Sequence, residues 1–267
     1  MERTQGLYLT VEGRNNGITI KSPVELRVMR EAGRVTAAAR EAVVRAVQPG
    51  MKTKELDAIA AREIRQLGGK PSFKGYRGFP ATICVSINQE IVHGIPGDRV
   101  IKEGDVVSID VGAIVGGFHG DSAVTVIVGR ASKEAEKLVE ATRLSLELGI
   151  RQALAGNRVG DISTVVQQFA EAQGYGVVRE YVGHGIGRAL HEDPAVPNVG
   201  EGGKGPLLRV GMAIAIEPML NMGTWETRVL DDDWTVVTAD GSLSAHFEHT
   251  VAITERGPWV LTALEGE

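Results

Sequence analysis

The sequence predicts an α+β fold of two pseudo-symmetric halves, with a curved antiparallel sheet covered on one face by helices. Three observations carry this. The order helix, helix, strands occurs twice along the chain. The block Gly104-Asp105-Val106-Val107-Ser108-Ile109-Asp110 returns as Gly211-Met212-Ala213-Ile214-Ala215-Ile216-Glu217, each copy ending in a carboxylate. Gly68 and Gly174 close the second helix of each half. A duplication of this kind suggests two halves packed about a pseudo-twofold axis, with helices layered on one sheet face. Residues 1–21 read as a lead-in and 22–267 as one domain, its halves spanning about 22–130 and 131–262.

The elements follow in order. Ser22-Pro23-Val24-Glu25 has the form of a capping box with proline at the first helical position. Leu26, Met29, Ala32 and Val35 continue at helical spacing to about Val47, and Gln48-Pro49-Gly50 ends that helix. Thr53 is expected to cap a second helix running to Gly68-Gly69. The loop Phe73 to Pro80 precedes a strand from Thr82 to Ile87, and His93-Gly94-Ile95-Pro96 reads as a turn. Residues 106–115 and 122–128 alternate as the strands of a hairpin about Gly116-Gly117. In the second half Ser132 opens a long helix ending at Ala155-Gly156, and a shorter helix runs from about Asp161 to Gly174. A strand from Val177 to Val182 leads into Gly183-His184-Gly185-Ile186-Gly187. The last strand, Ser244 to Thr254, carries Glu248.

The bulk numbers narrow the function classes. A chain of 267 residues with 43% hydrophobic content buries a sizeable core. A net charge of -5 gives no global attraction to DNA or to an anionic membrane. The single cysteine, Cys84, excludes disulfides within the chain and Cys-x-x-Cys zinc modules. No signal peptide or membrane-spanning run is read, and the single cysteine makes a reducing, cytoplasmic setting the expectation; a monomer is expected as well.

The hairpin carries the first chemistry. If its turn centres on Gly116-Gly117, Asp110 lies opposite Ala123 and diagonal to Asp121; one residue earlier, the two carboxylates face each other. Either register puts both on one face. Like charges so placed repel, and a cation between them relieves the repulsion. The bland alternative is a solvated acidic pair on an exposed face. In a folded duplicate, Asp110 and Asp121 would meet Glu217 and Glu248. Four carboxylates suit two divalent cations with bridging ligands, and oxygen donors favour manganese, iron(II), cobalt or zinc over copper. His184, between glycines, is the natural nitrogen ligand. His93 and His191 remain to hydrogen-bond a substrate and its developing oxyanion. His119 and His246 read as supporting groups, and His249 as structural. Such a site activates water for hydrolysis.

These residues sit in motifs similar to those of a known family. They are Lys74-Gly75-Tyr76 with Gly78-Phe79-Pro80, Ser86-Ile87-Asn88, Val92-His93-Gly94-Ile95-Pro96, Ser108-Ile109-Asp110, His119-Gly120-Asp121, Gly183-His184-Gly185-Ile186-Gly187-Arg188, His191-Glu192, Ile216-Glu217-Pro218 and Glu248-His249-Thr250. From about 18 to 262 the chain resembles the type I methionine aminopeptidases, whose fold is the pita-bread (creatinase/aminopeptidase) fold. The resemblance implies removal of the initiator methionine from nascent chains when the second residue is small. It implies Asp110, Asp121, His184, Glu217 and Glu248 as ligands of two divalent ions (cobalt, manganese, iron or zinc), with Asp121 and Glu248 bridging and Glu217 also shuttling protons. His93 and His191 would contact the substrate at the scissile peptide. Phe73, Tyr76, Phe79, Cys84 and Trp234 would wall the methionine pocket, Cys84 as a polarisable surface rather than a nucleophile. A monovalent cation near Asn88, Glu90 and Ser244, held mainly by backbone oxygens, and a ribosomal partner also follow from the resemblance.

Two positions depart from the family's pattern. Leu190 stands where many members have an aromatic, and His246 where glutamine is usual. Proline-specific relatives of the same fold carry a large preceding domain and a histidine where this chain has Glu180. A type II enzyme would need an insertion in the second half. A non-enzymatic module on the scaffold would have lost ligands, and all five are present.

Overall fold

The computed structural model of the chain describes residues 17–264, so residues 1–16 of the expected lead-in lie outside the described residues. The first half contains α1 (Pro23–Ala46), α2 (Thr53–Gln66), β1 (Lys70–Pro71), a short 3-10 turn (Tyr76–Gly78), β2 (Ile83–Ile87), β3 (Glu90–Val92), β4 (Val106–Val115) and β5 (Phe118–Ile127). The second contains α3 (Lys133–Arg151), α4 (Val159–Glu171), β6 (Gly176–Val177), β7 (Gly183–Gly185), β8 (Glu192–Val196), β9 (Ala213–Ile216) and β10 (Met219–Asn221). It continues with β11 (Thr227–Val229), β12 (Val236–Thr238), β13 (Ser244–His246), β14 (His249–Thr254) and β15 (Gly257–Val260).

Local chemistry explains the helix starts. Ser22 Oγ accepts the Glu25 N–H at 3.3 Å, and Glu25 Oε2 accepts the Ser22 N–H at 2.9 Å, which completes the capping box. Ser132 caps α3 by accepting the Ala135 N–H at 3.2 Å. The expected cap at Thr53 shifts by one residue. Glu55 reaches back to the Lys52 N–H at 2.7 Å, while the Thr53 hydroxyl is taken up by Gly97. Each half then packs its helix pair on its own strands. Val35, Val43, Leu56 and Ile64 meet Ile83, Ile87 and Ile109. Leu146 and Ile162 meet Ile214, Ile216 and Val251.

The strands pair antiparallel in four hydrogen-bonded sets rather than one unbroken ladder: β1-β4-β2 with β5 on β4, β13-β10-β6, β11-β12-β3, and β15-β14-β9-β7-β8. The sets are stitched across the halves. Ala123 and Glu248 exchange backbone hydrogen bonds at 3.3 and 2.9 Å. The Thr250 hydroxyl accepts the Asp121 N–H and donates to the Asp121 carbonyl, at 2.9 and 2.8 Å.

Two expected strands are broken where the chain changes partner. Val177 pairs with Leu220, whereas Gly183 to Gly185 pair with β8 and β9, so residues 178–182 cross between sheets outside the regular strands, Val178 still donating its N–H to the Met219 carbonyl at 3.1 Å. The expected strand 244–254 is divided likewise: β13 pairs with β10 and β14 with β9. The two breaks face each other, because Met219 opposes His246 and Ile216 opposes His249. Glu217-Pro218 and Phe247-Glu248 lie between, outside the regular strands, with the Phe247 N–H on the Pro218 carbonyl at 3.3 Å and Glu248 bonded to Ala123 instead. The return strand of the hairpin starts four residues earlier than expected, at Phe118. Gly116 and Gly117 both take positive φ, 58° and 79°, as a two-residue turn of the primed type requires.

Candidate metal centre and substrate pocket

Each element delivers its side chain for a reason in the backbone. The register pairs Asp110 with Ala123 and Gly112 with Asp121, so the two carboxylates are diagonal neighbours. α1 presses on this hairpin: a Cβ at Gly120 would lie 2.8 Å from the Gly33 nitrogen, and the Thr36 hydroxyl donates to the Gly120 carbonyl at 3.0 Å. Glu217 and Glu248 come from the two facing ladder breaks. Their backbones are held by Asn198, which donates to the Glu217 carbonyl at 3.0 Å, and by Ser122, which donates to the Glu248 carbonyl at 2.8 Å. His184 lies on β7 between glycines that have no room for a Cβ: at Gly185 it would sit 2.1 Å from the Asp193 carbonyl oxygen.

The five side chains converge. Asp121, His184 and Glu248 form a buried group whose donor atoms lie within 4.8 Å of one another. Nε2 of His184 is 3.5 Å from Glu217 Oε1 and 3.9 Å from Asp121 Oδ2. Asp110 lines the same pocket. His184 Nδ1 lies 2.9 Å from the Gly185 carbonyl oxygen, which can only accept, so Nδ1 carries the proton and Nε2 presents a lone pair to the carboxylates. Asp110 Oδ1, Asp121 Oδ1 and Glu248 Oε1 are buried with no hydrogen-bond partner. Buried charge left unpaired is costly. Oxygen and nitrogen lone pairs facing one another fit divalent cations, which would satisfy all of them together.

Burial sets the protonation of the cation-free site. It pushes the carboxyls of Asp121 and Glu217 well above the usual range, with Asp110 adding to both by repulsion. Glu248 is raised in the same way, by burial and then by Asp121. Burial holds His184 and His93 down to about 4. It holds His191 lower still, to about 2, with His184 beside it contributing. A bound cation would reverse the carboxyl shifts.

Above this floor lies an apolar pocket lined by Phe73, Tyr76, Phe79, Cys84, Leu190 and Trp234, together with His93 and His191. Trp234 meets Phe79 edge-on, ring centroids 5.0 Å apart. Burial pushes the Cys84 thiol up, away from the nucleophilic thiolate. His93 sits in the left-handed region at φ 62°, a conformation that a non-glycine residue adopts at some cost and that is common at functional sites. Leu190 fills part of the wall, so the missing aromatic is replaced by an aliphatic surface. Val92, Glu180, Tyr181 and Val182 also line the pocket, and sequence reasoning missed them as site residues. Their nearness to His93 and His184 in the chain was the available signal; Tyr181 stands edge-on to His93 at 5.7 Å.

The remaining positions lie elsewhere. The Asn88 carbonyl accepts the Ser244 N–H at 2.9 Å, and Glu90 is engaged by the Ile87 N–H at 2.7 Å and by Arg99. None of Asn88, Glu90 and Ser244 lines the pocket. His119 is bound to Ser72 and His249 to Thr262. His246 is buried with Nε2 unpartnered. No helix among the described residues is long and apolar enough to cross a membrane.

Two like halves closing a carboxylate-histidine cluster beneath an apolar pocket are the build of a metal-dependent hydrolase. The chain belongs to metallopeptidase family M24, whose sequence profile matches residues 27–255, and within it to the methionine aminopeptidases. It is 54% identical over 245 residues to methionine aminopeptidase 1 of Bacillus subtilis, covering 92% of this chain and 99% of the relative. The crystal structure of methionine aminopeptidase from Thermotoga maritima matches with a TM-score of 0.91 and 47% identity, over 92% of this chain and all of that one. The prolidase of Pyrococcus furiosus shares the fold at a TM-score of 0.76 and 23% identity, but only 65% of its chain is covered.

Proposed function

We propose that the chain removes N-terminal methionine from polypeptides whose second residue is small, by hydrolysis of the first peptide bond. The observation that carries this is the convergence of five donor side chains, several with unpaired buried oxygens, at the floor of an apolar pocket of methionine-like character. Asp110, Asp121, His184, Glu217 and Glu248 would hold two divalent cations, with manganese, iron(II), cobalt and zinc the candidates. Bound there, divalent cations supply the charge that acidifies water and polarises a carbonyl. The residues do the rest. Phe73, Tyr76, Phe79, Cys84, Leu190 and Trp234 take up the thioether side chain. Glu217 accepts a proton from the attacking water and returns it to the departing amine. His191 donates to the scissile carbonyl oxygen as charge grows on it, and His93 hydrogen-bonds the peptide nitrogen. Nascent chains in the cytoplasm, at the ribosome, are the natural substrates in this reading, and the enzyme acts as a monomer.

The test is hydrolysis of Met-Ala-Ser before and after chelation. Activity should vanish with EDTA and return with cobalt or manganese, while acetyl-Met-Ala-Ser is not cleaved and Met-Leu peptides are cleaved poorly. Persistent activity in a preparation shown by mass spectrometry to be free of metal would refute the reading.

A further inference from the structure

Tyr76 stands in the pocket wall within a turn of unusual backbone. Gly75, Arg77 and Gly78 take φ of 85°, 49° and 92°. The turn is closed by the Gly75 N–H on the Phe79 carbonyl at 2.8 Å and by the Phe79 N–H on the Tyr76 carbonyl at 2.9 Å. A left-handed arginine is a cost that the surroundings must offset. What the turn achieves is contact with His191: ring centroids 5.3 Å apart, and Tyr76 Oη 2.8 Å from His191 Nδ1. An apolar wall for a thioether needs only the ring, so the hydroxyl has a separate job.

A neutral imidazole carries one N–H and one lone pair, and the hydrogen bond made by one nitrogen decides which nitrogen holds the proton. Between a phenol and an imidazole, the phenol is the stronger acid and the imidazole nitrogen the stronger base. The shared hydrogen therefore sits on oxygen, and Tyr76 donates to Nδ1. We propose that Tyr76 is a positioning residue whose hydroxyl fixes His191 in the tautomer bearing its proton on Nε2, making His191 a hydrogen-bond donor to the substrate carbonyl. This rests on the role assigned above to His191. The opposite tautomer would present a lone pair to the carbonyl oxygen. His184, whose ring centroid is 4.1 Å from that of His191, is set the other way by its backbone carbonyl partner. Two adjacent imidazoles are thereby held in opposite tautomers, one offering an electron pair and one a hydrogen.

Tyr76→Phe keeps the ring and deletes the hydroxyl. In nitrogen-edited NMR of the zinc-loaded full chain, wild-type His191 should show a bare Nδ1 and a protonated Nε2, and Tyr76→Phe should lose that fixed pattern. On Met-Ala-Ser, kcat should fall about tenfold to a hundredfold, the usual cost of losing a group that orients an imidazole at a metal site, with KM nearly unchanged. In a His191→Ala background, Tyr76→Phe should cost nothing more. A protonated Nδ1 in the wild type, an unchanged spectrum and kcat in Tyr76→Phe, or full additivity with His191→Ala would each overturn the proposal. Loss of the underlying reading has a different signature: His191→Ala alone would leave kcat intact, which removes His191 from the reaction and the purpose of the hydroxyl with it.

Discussion

At the scale of single residues, the pocket's charge states follow from burial, and this gives the cation-free protein a particular response to pH. A carboxyl with a raised folded-state pKa keeps its proton in the folded chain while the unfolded chain has already lost it. Stability from that group is full below the ordinary carboxylate range and is lost as pH rises toward the folded-state value. The buried histidines act oppositely, costing stability as pH falls through about 6.5, the ordinary histidine value. Comparing wild type with Asp121→Asn cancels the histidines. Without metal, Asp121→Asn should be the more stable, by a melting-temperature margin that grows from pH 5 to pH 8, since the variant lacks one of the repelling groups. Saturating manganese should reverse the order. A margin that does not change with pH would contradict the buried, mutually repelling cluster. Glu217→Gln is nearly isosteric and cannot shuttle a proton. It should keep its fold and lose about a hundredfold to ten-thousandfold in kcat, measured with metal content on the same sample.

At the scale of elements, the ligands sit where regular structure is interrupted or crowded. β7 is the tightest case. Gly185→Ala places a methyl 2.1 Å from a carbonyl oxygen of Asp193, which a side-chain rotation cannot relieve. β7 must move away from the Asp193 backbone and carry His184 with it. The expected result is a loss of about 1–3 kcal/mol in calorimetric stability, the range for overpacked sites, with weaker manganese binding by titration calorimetry. An alanine variant with unchanged metal affinity would show that the glycine serves packing alone. The same interruptions explain what was legible in the sequence. Alternation and the Gly116-Gly117 turn announced the β4-β5 hairpin, and the repeated block announced Glu217 as the partner of Asp110. Nothing in residues 177–182 or 244–254 announces a change of partner strand, because both stretches have the composition of continuous strands. Partner changes depend on which distant strand lies opposite, and local pattern carries no such information. Glu180 and Tyr181 were overlooked for that reason: their segment faces the pocket only because it leaves one sheet for another. Thr53 failed as a cap because a distant glycine backbone outcompeted the local helix end for its hydroxyl.

At the scale of the whole molecule, the centre is a junction. Asp110 and Asp121 belong to the first half, His184, Glu217 and Glu248 to the second, and beside the cluster that each half builds under its own helices, shared clusters join Phe73 and Phe118 to Ile186 and Ala213, and Ile91 to Met219. Cations shared by both sets should couple the halves. A ligand present at about a thousand times its dissociation constant adds about 4.1 kcal/mol of stability. Hydrogen exchange should accordingly slow on adding manganese in β4 and β5 and in β9 and β14 together. Protection confined to one half would mean that the ions are held by that half's side chains alone.

The exchange of backbone hydrogen bonds between Ala123 and Glu248, and the Thr250 clasp on Asp121, have a consequence in the order of synthesis. The hairpin bearing Asp110 and Asp121 is made early, but the strand that clasps it lies near the carboxyl end of the described chain. A growing polypeptide thus exposes two unsatisfied acidic residues and an open strand edge until the last hairpin arrives. Competence is acquired at one late moment, when residues far apart in time of manufacture close on each other.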